Sequence, residues 1–484
     1  MRCSWDEWPH DEWIFVMVSI RFFRATVPCV AAALVVAGCA AGPTYQRPGA
    51  ADVSAFKEAG DWVTAAPADA LERGPWWLLF NDLVLNDLAA RVVVSNQNVA
   101  AAVAAYAQAR ALVAEQRASL LPTVTLGGDA NRAQSNGNTR NNFQASLGAA
   151  WELDVWGRLQ NVANGAAATA AATGADLAAA RLSAQGELAV NYLSLRQQDA
   201  QKALLATTLA GYTRALDIAQ NRYAAGVAPK TDVLQAQTQL ANAKADEAGL
   251  QRTRAQLEHA IAVLVGIAPG NFSVAAVADY KPVVPDVPVG VPSTLLQRRP
   301  DIAAAERRVA SANAQIGVAQ AAYYPSLSLS ASAGTAASRV ADLFSAPAAL
   351  WSLGVSSAQV LFKGGALDAR VDGAQAAQAQ AVARYRQVVL AAFQNVEDQL
   401  SGVRVLKVQQ ALRAEASSAA DQVEQQALNR YRSGLVSYTD VIAAQTTALS
   451  ARRALVQSTA DRQTTAVALI QSLGGGWSVE LLEK

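Results

Sequence analysis

Chemistry-bearing residues are scarce in this chain. It has two histidines, His10 and His259, and three cysteines among 484 residues. Neither a metal cluster nor a disulfide framework is indicated. No G-x-S-x-G, H-E-x-x-H or phosphate-binding glycine loop occurs, so the common hydrolase, zinc-protease and nucleotide-binding chemistries have no foothold. Charged residues make up only 16% of the chain, low for a soluble protein. They are also balanced, 40 Lys and Arg against 39 Asp and Glu, which gives no reason to expect nucleic acid as a partner. No apolar run of roughly 18 residues or more follows Cys39. Any passage through a bilayer therefore needs a closed β-barrel, and the alternative is a lipid anchor. The expectation is a protein without catalysis, cofactor or metal.

Residues 27–39, "VPCVAAALVVAGC", are an apolar run ending in small residues, with Arg21 and Arg24 before it. This is the shape of a signal-peptide core. "VAGC" at 36–39 resembles a bacterial lipobox, which makes Cys39 the acylated first residue of the mature chain. An ordinary secretory signal cut nearby is the plainer alternative. The acidic "DEWPHDEW" ahead of the run suits such a signal poorly, so translation starting at Met17 is a further alternative. The reading is a signal peptide over 1–38 and a lipidated, extended segment over 39–82.

The rest of the chain is written twice. "NRYAAGVAPKTDV" (221–233) and "NRYRSGLVSYTDV" (429–441) share Asn, Arg, Tyr, Gly, Thr, Asp and Val at an offset of 208 positions. "ARALVAEQRASLLPTVTL" (109–126) aligns with "ANAQIGVAQAAYYPSLSL" (312–329) at an offset of 203. Alanine-rich stretches predict helices over 83–118, 160–223, 231–265, 301–322, 366–430 and 438–472. Val233, Leu240, Leu250, Leu257 and Leu264 include sevenfold spacings, as in left-handed helix packing. Partial period-two alternation predicts strands over 123–130 and 142–155, with the polar 131–141 as a loop, and again over 326–334 and 350–362. The unit is helix, β-hairpin, very long helix, turn, helix. The first repeat covers 83–280, with its hairpin at about 122–156. A proline-rich linker occupies 281–293. The second repeat covers 294–474, with its hairpin at about 325–362, and 475–484 is a tail.

Helices of about 60 residues would be on the order of 90 Å long, against a radius of gyration near 22 Å for a globule of this size. They must pack lengthwise, and small Ala and Gly side chains allow close approach. Two hairpins supply four strands and leave two open edges, which lipid does not tolerate. Closure demands several chains, giving eight, twelve or sixteen strands for two, three or four copies. Small polar residues alternating with larger ones suit a wet barrel interior. Phe143, Trp151, Trp156, Trp351 and Phe362 fit an interfacial belt, or are simply core.

The chain resembles the outer-membrane efflux proteins, in particular the lipoprotein branch of the TolC-like factors of RND-type multidrug export (NodT and OprM type). The matching stretches are Cys39 with "AAGPTYQRP", "WWLLFND", "LPTVTL", "WELDVWGR", "LLQRRPDIAAAERRVASANAQIGVAQAAYYPSLSL", "LFKGG" and the two tip motifs. The resemblance implies a mixed α and transmembrane-β fold. In it, a homotrimer completes a twelve-stranded barrel in the outer membrane above a long periplasmic helical barrel. The implied function is a passive exit duct, docked to a periplasmic adaptor (membrane fusion) protein and an inner-membrane RND pump. A coiled-coil structural or adhesive lipoprotein and a type I protein-secretion duct are the alternatives.

By the same resemblance the doubled turns close the periplasmic mouth. Tyr223, Asp232, Tyr431 and Asp440 are the implied gate residues. Gly226, Val227, Gly434 and Leu435 form the implied adaptor-docking surface. Some relatives carry an arginine five residues after the second-tip tyrosine. Here that place is Val436, and the later aspartate place is Ala443. Lys230 or Arg432 would substitute for the missing cation. Arg432 and Tyr438 favour the second tip as the main closure. Read without the family, Asp232 and Asp440 beside Thr231 and Thr439 are helix-start acids, and Gly226 and Gly434 are C-cap glycines. Arg299, Pro300 and Asp301 read as a structural motif that starts the second repeat's helix.

Overall fold

The computed structural model describes residues 41–49, 56–59, 75–135, 137–287, 298–343, 345 and 349–475. Cys39, the segment read as a signal peptide, and parts of the linker and tail lie outside them. Helices α1 (Leu83–Ser95) and α2 (Gln97–Ala118) lead into strands β1 (Thr123–Ser135) and β2 (Asn138–Leu153). Helix α3 (Arg158–Ala224) and helix α4 (Lys230–Leu264) follow. The pattern restarts with α5 (Pro300–Ala321), β3 (Ser326–Ala337), β4 (Ala349–Ala358), α6 (Ala366–Arg432) and α7 (Tyr438–Ser472). Corresponding helices have equal lengths: 22 residues in α2 and α5, 67 in α3 and α6, and 35 in α4 and α7. At about 1.5 Å per residue, α3 and α6 each extend roughly 100 Å. The sheet lies at one end of them and the turns at 225–229 and 433–437 lie at the other.

Two local expectations are corrected. Most of the polar stretch 131–141 is strand rather than loop: 131–135 belong to β1 and 138–141 to β2. β1 and β2 pair without interruption from Thr123–Ala150 to Ser135–Asn138. The hairpin turns at Gly137, which has φ 79°; in the sequence it follows Asn136, and Asn-Gly is a strong two-residue turn signal. The helix expected over 83–118 is also broken, at Asn96, where α1 and α2 meet at 40°. Asn96 is extended (φ −67°, ψ 125°), and its side chain caps α2 by accepting from Asn98 N and Val99 N. Its amide donates to Leu264 O at 2.8 Å, so the break is fixed by α4 as well as by the cap.

The four strands form one antiparallel sheet in the order β1-β2-β3-β4. Side chains alternate across a strand, so the register sorts them into two faces. Val124, Leu126, Leu147, Trp151, Leu329, Trp351, Leu353 and Val355 share one face. Thr125, Gln144, Ser146, Ser328, Ser330, Ser332 and Ser352 share the other. Trp351 is 81% exposed, so the apolar face has no cover in a single chain. Trp156 belongs to the joint below the sheet. Its ring stacks on Tyr324 at 4.7 Å and its Nε1 donates to Pro325 O at 2.7 Å. Phe362 lies beyond the end of β4. Among the described residues no single helix is long and apolar enough to cross a membrane, although the bent pair α1–α2 has the length and composition.

The main core sits midway along the helices. Trp76, Phe80, Leu85, Leu88, Val92, Leu188, Tyr192, Ile261, Leu400 and Val467 pack there. A smaller cluster holds the far ends together: Ala215, Ala219, Val233, Ala236, Tyr431, Tyr438 and Val441. Between them a third cluster, Leu205, Tyr212 and Ala243 with Leu209, Leu240, Leu250 and Leu449 against it, continues the contact along the helices.

Candidate functional site: the paired turns

Both turns are built alike at their start. Gly226 (φ 75°) and Gly434 (φ 74°) take the left-handed conformation that glycine tolerates. Gly226 N donates to Tyr223 O and Val227 N to Arg222 O, at 2.9 and 3.0 Å. Gly434 N donates to Tyr431 O and Leu435 N to Arg430 O, both at 2.9 Å. These are paired Schellman closures, so the C-cap reading of both glycines holds. Val227 and Leu435, just past the caps, are 63% and 69% exposed.

The turns then diverge at the next helix start. Ser437 caps α7, and Asp440 completes a capping box with it. Ser437 N and Ser437 Oγ both donate to Asp440 Oδ2, at 3.0 and 2.8 Å. In the first turn the equivalent cap is Pro229, which makes no side-chain cap bond. Proline has no N–H and no hydroxyl, so Asp232 has no box to close. Its Oδ2 instead accepts from the Tyr431 hydroxyl at 3.0 Å, across 199 positions of sequence.

Tyr431 is held tightly. It is 2% exposed, as is Tyr438, and the two rings meet edge to face at 5.1 Å. The Arg222 guanidinium lies over the Tyr431 ring at 4.8 Å, a favourable cation–π placement. Arg222 Nη1 also donates to Arg432 O at 3.0 Å. Burial first, and the Asp232 hydrogen bond second, push the Tyr431 hydroxyl up to about 12. Burial also pushes Tyr438 up to about 12. The folded-state value of Tyr431 lies above its ordinary 10. Its contribution is therefore complete below pH 10 and fades as pH rises towards 12. At neutral pH the phenol remains a donor.

Of the sequence-derived gate set, the structure joins Tyr431 to Asp232. Asp440 is occupied by its capping box, and Tyr223 is 47% exposed. The cation beside Tyr431 is Arg222 rather than Lys230 or Arg432. Sequence reading passed over Arg222, although it stands inside the repeated Asn-Arg-Tyr. The pairing also draws on both turns rather than chiefly the second, and Val436, half-buried, packs against the tyrosine cluster. A groove of about 610 Å³ runs along the second hairpin, lined by Val423, Arg430, Val436, Asp440 and Thr447 among others. Ser437→Ala tests the division of labour. It should cost about 1 kcal/mol of helix stability, read as a lower melting temperature, and leave the Tyr431–Asp232 bond intact.

Three other polar arrangements position these elements. Arg299 forks onto Asp301 through Nε and Nη2, at 3.0 and 2.6 Å. Its Nη1 donates to Ser472 O at 3.0 Å, tying the start of α5 to the end of α7. Pro300 is the first residue of that helix, where its missing N–H costs nothing. Nearer the middle, Arg196 and Asp199 are 2% and 3% exposed. With Arg254 and Tyr192 they form a network that sequence reading did not find. At the sheet end, Ala41 N donates to Trp156 O at 2.8 Å, and Asn161 Nδ2 donates to Ala41 O at 3.0 Å.

The duplicated α–β–β–α–α chain, the open four-stranded sheet and the paired helix turns define a TolC-type channel fold. The family profile described as "Outer membrane efflux protein" matches residues 88–267 and 291–475, and the chain belongs to that family. It is 31% identical over 465 residues to the solvent efflux pump outer membrane protein SrpC of Pseudomonas putida, covering 93% of this chain and 97% of the relative. It is 30% identical over 457 residues to the toluene efflux pump outer membrane protein TtgC of the same species, covering 92% and 94%. The outer-membrane channel OprN superposes with a TM-score of 0.82 at 31% identity, covering 91% of this chain and all of OprN. The protein is thus an outer-membrane exit duct of a tripartite efflux system, moving small molecules passively and without catalysis.

Proposed function

We propose that three copies close their sheets into one twelve-stranded barrel, continued by a helical tunnel whose periplasmic mouth is shut by the paired turns. The observation that carries this is the sheet. It has an apolar face, a serine-rich face and an open edge on β1 and on β4. Lipid does not accept open edges. An eight-stranded closure leaves a lumen that side chains fill, whereas twelve strands lined by Ser, Thr and Gly leave a wet passage.

In this reading the Tyr431–Asp232 bond is the latch, with Arg222 as its support. Tyr223 and Asp440 stand on the same turns, where a neighbouring chain would meet them. Gly226, Val227, Gly434 and Leu435 form the exposed end that a periplasmic adaptor would grip, and an inner-membrane RND pump would supply the work. Acylated Cys39 would anchor the chain. Support comes from Ala41, which is bonded to Trp156 at the joint between sheet and helices. The functional units remain a signal peptide over 1–38, repeats over 83–280 and 294–474, and a linker over 281–293. Solvents and toluene, the cargo named for the relatives SrpC and TtgC, are the cargo class.

Native mass spectrometry of the full chain extracted from membranes tests the assembly and the anchor together. The expected particle has three subunits, each with acyl mass on Cys39, and conducts ions in a planar bilayer once unlatched. A stable monomer or dimer would overturn the three-chain closure, and a trimer that no latch substitution makes conductive would overturn the latch.

A further inference from the structure

The duplication fixes more than the fold of each repeat. Shifting the β1–β2 register by 203 positions on β1 and 208 on β2 reproduces the β3–β4 register throughout: Thr123–Ala150 becomes Ser326–Ala358, and Arg132–Asn141 becomes Thr335–Ala349. The N-caps of α3 and α6, Gly157 and Gly365, are related by the same 208 positions. Inside the chain the repeats meet along β2 and β3 and, continuing from these strands, along α3 and α5. The same shifts applied to this internal seam set β4 and α6 of one copy beside β1 and α2 of the next. Leu147–Ala333 becomes Val355–Ala130, and Phe143–Ala337 becomes Trp351–Gln134. Both new pairs lie on the apolar face, so the faces join without a flip. A one-residue slip would set Val355 beside Asp129 or Asn131 on the serine face.

The helices of this outer seam are open in a single chain. α5 lies between α3 and α6, whereas α2 has α3 as its one lengthwise neighbour among the described residues. α5 accordingly buries twelve residues and α2 only Val99. In the internal seam Ala175, Ala303 and Ala304 cluster, and Gly165 packs against Ala314 and Gln315. Across the outer seam their counterparts are Ala383 with Ala100 and Ala101, and Gly373 with Ala111 and Leu112. All six are exposed, and nothing lies within 4 Å of a Cβ built on Gly373. A groove of about 510 Å³ runs along this face of α2, lined by Ala105, Gln108, Ala111, Leu112 and Glu115 among others. The counterparts of the first four, Arg308, Ser311, Ala314 and Gln315, are residues by which α5 meets α3.

One level departs from the internal pattern. Three positions nearer the sheet than Gly165 and Gln315 stand Val162 and Val318, and their counterparts are Arg370 and Glu115. Both are exposed, and neither makes an ion pair among the described residues. One valine is replaced by a cation and the other by an anion, so the seam stays neutral at this level. We propose that α6 of a second copy lies in the groove beside α2, in the register of the internal seam, and that Arg370 of that copy pairs with Glu115. The proposal rests on the three-chain reading above and goes beyond it by fixing which residues meet. Each copy offers one half of the seam at each edge, so the contact is head to tail and closes a ring.

The test uses the full-length protein oxidised in the membrane and then extracted. Ala111→Cys/Gly373→Cys should run as a covalent trimer on a non-reducing gel and as a monomer after reduction. In the internal seam a Cβ built on Gly165 lies 3.5 Å from the Cβ of Ala314, within disulfide range. Gly165→Cys/Ala314→Cys is the geometric control, and should close within one chain and run as a monomer. Wild type and the single-cysteine variants set the background from the native cysteines. Ala111→Cys/Gln380→Cys, two turns out of register, should not cross-link. Cross-linking of that slipped pair in place of the first overturns the register. A trimer by native mass spectrometry in which Ala111→Cys/Gly373→Cys forms no bond between chains overturns the seam and leaves the three-chain reading standing. A particle of another size removes that reading, and the seam with it. Glu115→Arg and Arg370→Glu should each lower the temperature at which the trimer dissociates, and the two together should restore it. An exchange no more stable than the single reversals overturns the ion pair.

Discussion

Asp232→Ala should make the channel conduct in a planar bilayer under conditions where the wild type is closed, whereas Asp440→Ala should leave it closed. The two aspartates hold the same place in the repeated motif, so the sequence treats them alike. Their surroundings do not. Asp440 is held by Ser437 within its own turn, and its loss weakens a helix start. Asp232 is released from that duty by Pro229 and reaches the other hairpin through Tyr431. A hydrogen bond to a charged group contributes about 1.5–3 kcal/mol, so each broken latch shifts the closed-to-open balance roughly 10- to 150-fold. Three latches in a trimer would compound that shift.

Tyr431→Phe removes the same bond from the donor side and keeps the ring against Tyr438, so it should open the channel comparably. Asp232→Asn keeps an acceptor and loses the charge, and should fall between wild type and alanine. Subunit number and helical content of each variant must match the wild type for the comparison to count. Closed Asp232→Ala and Tyr431→Phe channels in intact trimers would remove the latch assignment. An open Asp440→Ala channel would mean that the capping box itself bears on closure.

The sequence made some of this legible for identifiable reasons. Helix ends were readable where backbone chemistry leaves no choice: Gly226 and Gly434 at positive φ, Pro300 at a first turn, Pro325 before a strand. The break at Asn96 was not, because asparagine within an alanine-rich run is no breaker by itself. It becomes one when α4 offers Leu264 O to its amide. The hairpin's extent, about 122–156, is legible, but its strands are longer than 123–130 and 142–155 suggest, because polar residues near a rim occupy both faces of a strand and erase the alternation. The Asn-Gly turn signal was present and underweighted. Tyr431 and Asp232 could be nominated by position, yet their bond spans the two repeats and depends on what Pro229 lacks. Arg222 was visible in the motif, but its position over the Tyr431 ring requires α3 and α6 to converge. Arg196 and Asp199, three positions apart in a leucine-rich stretch, were the one signal of a buried polar network, and they were passed over.

That network carries the largest expected stability effect. Asp199 accepts from Arg196 Nη1 at 3.0 Å, from Arg254 Nε at 2.7 Å and from Val277 N at 3.2 Å. Arg196 donates further to Tyr192 Oη at 2.9 Å and to Ala275 O at 2.7 Å. Tyr192 in turn donates to Asp82, the cap of α1, at 2.7 Å. Arg254 reaches Val274 O at 2.6 Å. One carboxylate thus joins α3 and α4 to the segment after α4 that leads towards the second repeat. Asp199→Ala would leave the buried Arg196 guanidinium without its counter-charge, at a cost of about 3–5 kcal/mol. An exposed pair supplies the contrast. Asp246 and Arg453 are 49% and 32% exposed, and Asp246→Ala should cost at most about 1 kcal/mol. Denaturant unfolding in detergent, followed by helical signal, measures both. Replacing Arg196 and Asp199 together by Met and Leu should cost less than Asp199→Ala alone, because the stranded charge goes with its partner. A double variant that loses as much as the single would show that the bonds to Ala275 and Tyr192, rather than the ion pair, secure the crossing segment.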